Sequence, residues 1–121
     1  MKKSKDCIFC KIAKDEISDM KIKESDNFFA IKDKYPNAEG HTLVIPKKHF
    51  VTILDIPNTL APELLKMIKD VASDLMDKKL ADGFNVIQNN LQVAGQAIMH
   101  AHFHIIPRKE GDGIRYLVKE K

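Results

Sequence analysis

Three of the chain's five histidines, His100, His102 and His104, alternate with single intervening residues. Imidazole titrates near neutral pH and can serve as nucleophile, proton carrier or metal ligand. On an extended strand alternate residues share a face, so the three rings would stand in a row, successive ones about 6–7 Å apart. Ala101, Phe103 and Ile105 would face the other way, under a helix. The histidines would lie outside and the apolar residues inside; a slip of one residue would bury the histidines, so the alternation also specifies register. Three readings are open: a solvated strand that carries histidines, a row of imidazoles around a metal, or a nucleophilic imidazole whose neighbours position substrate and protons.

Cys7 and Cys10 form a second chemical feature. Thiolates at CxxC spacing can both reach one tetrahedral metal, although the pair is only half of a site. Buried free thiols are an alternative, since reduced cysteine packs as a small hydrophobe. A thioredoxin-like redox role fits less well, because no strand precedes the pair.

The elements that must hold these groups follow from periodicity. Residues 7–14 read as a short helix with Ile8, Phe9 and Ile12 on one face. Residues 20–24 and 27–33 read as strands around a turn at Ser25-Asp26, and residues 42–46 as a short apolar strand. Asn58 is placed to cap a long helix, with Pro62 in its first turns and Asp82-Gly83 at its end. Leu64, Leu65, Ile68, Val71, Ala72, Leu75 and Met76 recur along it at helical spacing, as an apolar stripe that a sheet must cover. Residues 84–88 form the next strand and 89–96 a polar loop. The histidine strand spans 100–106 and is stopped by Pro107, and a charged, partly flexible tail covers 108–121. The expected class is α+β, with antiparallel strands and one long helix on a face.

The chain has 121 residues, a size that suits a single domain over 1–121. Its formal charge of +3 comes from cations scattered among anions, which argues against nucleic-acid or membrane binding. The basic N-terminus lacks the apolar run of a secretory signal. A cytoplasmic protein with two reduced cysteines is therefore expected.

The stretch GQAIMHAHFHIIPR at 95–108 resembles the signature of the histidine-triad (HIT) family, with histidines alternating with apolar residues. EGHTLVIPKKH at 39–49 resembles the family's second motif, and CIFCKI and the loop beginning Asn89-Asn90 also fit, in the family's order and spacing. The closest resemblance is to the bacterial Hint-like branch, similar to purine nucleoside phosphoramidases. It implies a homodimer that meets through the long helix and the strand before the loop. It implies that His102 attacks the α-phosphate of a purine nucleotide, that His104 contacts phosphate and assists with protons, and that a protonated His41 stabilises charge. It implies phosphate contacts from Asn89, Gln96 and the Ala97 amide, with Gly95 allowing close approach. Ile8, Phe9 and Ile31 would line the base pocket and Asp33 would bind the ribose hydroxyls; a core role for the three apolar residues and a loop-capping role for Asp33 are the competing readings. Ala97 stands where many relatives carry serine, and Lys34 where an apolar residue is usual. Some bacterial relatives with the same cysteine pair look like zinc proteins, which implies one structural zinc per chain on Cys7, Cys10, His49 and His100. Rival functions are a dinucleoside polyphosphate hydrolase on the same fold, a nucleotide- or zinc-binding scaffold, and a metallohydrolase with an open metal on the histidines.

Overall fold

The computed structural model describes residues 7–17, 20–115, 118 and 120. Five strands form one antiparallel sheet: β1 (Lys21–Glu24), β2 (Phe28–Lys32), β3 (Thr42–Pro46), β4 (Gly83–Ile87) and β5 (Phe103–Arg108). Their order across the sheet is β1-β2-β3-β5-β4, so the histidine-bearing β5 lies inside and β4 is an edge. The pairing Ala30↔Val44↔Phe103 puts these side chains in one lateral row, and Ile31↔Leu43↔His104 puts the next row on the opposite face.

The two faces have separate cores. Helix α2 (Ala61–Asp77) covers one, where Met67, Val71, Ala72 and Leu75 pack with Phe28, Ala30, Val44, Phe103 and Ile105. Helix α1 (Ile8–Ala13) covers the other, where Phe9, Cys10 and Ile12 pack with Phe29, Ile31, Leu43 and Ile45. The long helix therefore backs the sheet on the side away from His104, and the short helix shares a side with it. Glu63 anchors the start of α2 to the β1–β2 turn by accepting from the Ser25 hydroxyl at 2.5 Å and the Asn27 amide at 2.6 Å. No helix among the described residues is long and apolar enough to cross a membrane.

The α+β arrangement matches the sequence reading, with differences in detail. Asn58 does not cap the long helix: Asn58–Leu60 is a separate 3-10 turn, and α2 starts at Ala61 after Leu60. The helix ends at Asp77, and Gly83 already belongs to β4. Met67, outside the expected stripe, is buried, whereas Leu65 and Met76 within it are exposed. In α1, Ile8 points outward while Phe9 and Ile12 are buried. Pro107 does not stop the histidine strand but pairs with Phe84 inside it. That strand begins only at Phe103, so His100 and His102 lie in the segment leading to it. The expectation of histidines outside and apolar residues inside also fails there, because His100 and His102 are as buried as Ala101 and Phe103. Of the tail, Arg108 through Ile114 is held in a turn by Asp112, which accepts from Arg108 Nε at 2.8 Å; residues 116, 117, 119 and 121 lie outside the described residues.

Candidate active site

The segment carrying the triad is fixed from both ends. The Ala101 amide donates to the Phe50 carbonyl at 2.6 Å, and β5 then enters the sheet at Phe103. His102 Nδ1 lies 2.8 Å from the His100 carbonyl oxygen. A carbonyl can only accept, so Nδ1 carries the proton and Nε2 holds a free lone pair. Burial pushes His102 below the ordinary imidazole range, with the His100 carbonyl and Asp33 opposing. The edge of Phe9 meets this ring, with centroids 5.2 Å apart. The result is a neutral, oriented imidazole with a nucleophilic nitrogen available at neutral pH.

His104 stands next to it, ring centroids 5.1 Å apart. Burial lowers its pKa to about 4, reinforced by His102 and His41 and opposed by Asp33. His104 Nδ1 is 3.0 Å from His41 Nε2. Asp33 Oδ2 lies 3.3 Å from that same His41 nitrogen. Burial also pushes His41 down, against the pull of Asp33, so the protonated His41 expected from the sequence is disfavoured.

On the far side of His102, His100 Nε2 donates to the Pro46 carbonyl at 2.7 Å. Its Nδ1 is thereby left as a lone pair, facing Cys7 Sγ at 3.3 Å and Cys10 Sγ at 3.5 Å. His49 Nδ1 is 3.1 Å from Cys10 Sγ, and His49 Nε2 is buried with no partner among the described residues. Candidate ligand atoms of Cys7, Cys10, His49 and His100 all lie within 4.8 Å of one another. Tetrahedral zinc with bonds of about 2.0–2.3 Å needs sulfur–nitrogen edges of about 3.5 Å, so these residues fit a metal ion. Burial pushes the Cys10 thiol up to about 12, with Cys7 adding to the shift; a cation in the cluster would reverse that preference.

A family model described as HIT domain matches residues 14–111. The chain belongs to the HIT family. It is 45% identical over 108 residues to an uncharacterized HIT-like protein of Methanocaldococcus jannaschii, covering 88% of this chain and 82% of that one. It is 42% identical over 104 residues to an adenosine 5′-monophosphoramidase of Saccharomyces cerevisiae, covering 86% of this chain but only 63% of the yeast protein. Among solved structures, a Zn-bound histidine triad family protein from Mycobacterium smegmatis superposes with a TM-score of 0.85 at 34% identity, covering 94% of this chain and 83% of that one.

This HIT fold brings His41, His102, His104 and Asp33 together, and gathers Cys7, Cys10, His49 and His100 beside them. Several of the other expected site residues carry structural work. The Gln96 side chain is buried and fully engaged, accepting from the Leu91 amide at 2.6 Å and donating to the Val51 carbonyl at 2.7 Å and the Ile98 carbonyl at 3.0 Å. It ties down the 89–97 loop and has no group left for a phosphate. Gly95 adopts φ +98°, which favours glycine at this turn, and Ala97 is exposed. Phe9 and Ile31 belong to the α1 core, while Ile8 is 43% exposed beside it. Asp33 also caps its own loop, Oδ1 accepting from the Tyr35 amide at 2.9 Å. Sequence reasoning missed the Asn37 amide, which donates to His41 Nδ1 at 3.0 Å. A backbone donor leaves no residue-type signal.

Proposed function

We propose that this HIT-family chain is an enzyme that cleaves purine nucleoside 5′-phosphoramidates at the α-phosphate, through a nucleotidyl intermediate on His102. His102 Nε2 forms a bond to phosphorus as the bond from phosphorus to the leaving nitrogen breaks, and the departing amine takes a proton from solvent, which the attacking water returns to solvent in the second step. Water then attacks the same phosphorus, the bond to Nε2 breaks, and a nucleoside monophosphate leaves with the imidazole restored. The observation that carries this reading is the 2.8 Å bond from His102 Nδ1 to the His100 carbonyl, which holds the opposite nitrogen bare. The 42% identity to a yeast protein named as an adenosine 5′-monophosphoramidase supports both the leaving group and the base. Asp33 would accept from the ribose hydroxyls, and Asn89 and the backbone amide of the exposed Ala97 would donate to phosphate, next to the close approach that Gly95 permits. Ile8, partly exposed beside Phe9, is the apolar residue left free for a base.

The same reading gives the Cys7, Cys10, His49 and His100 cluster one zinc per chain. Four protein ligands would leave no open position for water, so the ion would supply cross-linking between α1 and the triad segment rather than chemistry. Reduced Cys7 and Cys10 fit a cytoplasmic setting. We also assign a homodimer to the β4 edge, where Phe84 and Val86 are exposed next to Met76 of α2 and offer apolar surface beside unpaired backbone. The test of the catalytic reading is to trap the chain with a slowly turning adenosine phosphoramidate and map the adduct by mass spectrometry. Adenylate on the peptide containing His102, located at that residue, is the expected result; an adduct on another histidine, or turnover with no adduct, overturns it.

A further inference from the structure

His104 stands beside the nucleophile, and its two ring nitrogens could take opposite roles depending on where a single proton sits. Hydrogen-bond directions settle that location, starting from a group with no freedom. The Asn37 backbone N–H can only donate, and it reaches His41 Nδ1 at 3.0 Å. A neutral His41 ring accepting at Nδ1 must carry its proton on Nε2. That Nε2–H faces His104 Nδ1 at 3.0 Å, with Asp33 Oδ2 as a second acceptor at 3.3 Å. His104 Nδ1 therefore accepts, and the proton of the neutral His104 ring is confined to Nε2. Adding a proton at His104 Nδ1 would set two N–H groups head to head at a hydrogen-bond distance.

We propose that the Asn37 amide and His41 are positioning groups that fix the tautomer of His104, making it a neutral Nε2–H donor to the phosphate. This rests on the catalytic reading above for the identity of the acceptor, but the tautomer chain itself is a property of the ligand-free protein. The groups facing His104 are His41, His102 and Asp33; the first two oppose a second proton and Asp33 favours one. A neutral imidazole keeps its proton while donating, so it can hold a phosphate oxygen through both chemical steps without being titrated by it. The same chain bears on Asp33, His41 and His104 as a candidate metal group, which their spacing alone would allow. A metal would need a lone pair where His41 Nε2 carries a proton.

The test is long-range ¹H–¹⁵N correlation on the full chain with ¹⁵N-labelled histidine, without nucleotide, from pH 5 to pH 8. The expected result is Nε2–H for His41 and His104 and Nδ1–H for His102 at the alkaline end of the range, where all three rings are neutral. In His41→Leu, His104 Nδ1 no longer faces an N–H, so His104 should lose its tautomer preference and its titration should move upward. His41→Gln keeps an N–H donor near Nε2 and should restore the wild-type His104 signature. An Nδ1–H tautomer at His104 in the wild type overturns the proposal, and so does a His41→Leu variant whose His104 spectrum and titration are unchanged. Should His41→Leu fail to fold, the wild-type tautomers decide alone. Adduct mapping can fail while these tautomers hold, and the reverse, so the two readings are separable.

Discussion

His102 Nδ1 binds the carbonyl oxygen of His100 at 2.8 Å, so the residue that faces both cysteines also orients the His102 ring through its own backbone. Ring direction at His102 thus depends on the conformation of a neighbour fixed by Pro46 and the cysteine cluster. Truncating the nucleophile should be far more costly than truncating its neighbour. His102→Ala is expected to lose at least about a thousandfold in kcat on adenosine phosphoramidate, and His104→Ala less. Steady-state kinetics with both variants checks this; near-normal turnover by His102→Ala would end the covalent mechanism.

Asp33 carries two loads, its Oδ1 on the Tyr35 amide and its Oδ2 near His41. A ribose role predicts that Asp33→Ala weakens ribonucleotide substrates more than their 2′-deoxy counterparts, on top of any common loss from the loosened loop. The ratio of kcat/KM for the two sugars isolates that part. Equal losses would leave Asp33 with loop and histidine work alone.

Gly40 precedes His41 at φ +94°, and a Cβ built there would lie 2.9 Å from Leu75 Cδ2 in the α2 core. Both the backbone conformation and the space call for glycine. Gly40→Ala should therefore destabilise the fold by more than about 1 kcal/mol, measured by urea denaturation, and should lower kcat by displacing His41. A variant as stable as the wild type would mean that the β2–β3 loop accommodates the methyl group freely.

Much of this was legible in the sequence, for identifiable reasons. The apolar periods of residues 42–46 and of the long helix are strong, local signals, and β3 and α2 appear where they imply. The His-x-His-x-His alternation correctly placed Phe103 and Ile105 under α2. It misjudged His100 and His102, because a buried imidazole satisfied by carbonyls looks the same in sequence as a solvated one. Gln96 was read as a phosphate ligand, since nothing local shows that Val51, Ile98 and Leu91 use up its amide. Asn37 was invisible because its contribution is a backbone N–H.

Acidification should weaken the fold in a defined window. Burial holds His41, His102 and His104 below the ordinary imidazole range, His104 at about 4. Unfolded histidine titrates near 6.5. As pH falls from about 6.5 to about 4 the unfolded chain takes up protons that the folded chain refuses, so stability rises with pH across that interval and levels off above it. Tm recorded from pH 4 to pH 8 should show this slope. A Tm that stays level or rises on acidification through the window would place these rings in contact with water.

Metal removal separates a structural ion from a catalytic one. His100 is completely buried, its Nε2–H spent on Pro46 and its Nδ1 lone pair aimed at two thiols. His49 Nδ1 completes the set beside Cys10. Helix α1 is only six residues long and contributes Phe9, Cys10 and Ile12 to the core, so a cross-link from it to the triad segment would matter for stability. Zinc at a thousand times its Kd would stabilise the folded chain by about 4 kcal/mol. Protein purified without added metal should contain one zinc per chain. Chelation should lower Tm by several degrees, make Cys7 and Cys10 reactive to a thiol reagent, and leave most of the proposed phosphoramidase activity at low temperature, since that proposal gives the bond-making to His102 Nε2 and not to the ion. Absent zinc, with both cysteines titrating freely in the native protein, would defeat the metal assignment. Zinc whose removal abolishes turnover in a chain that stays folded would instead move the ion into the chemistry, and the nucleophilic role of His102 with it.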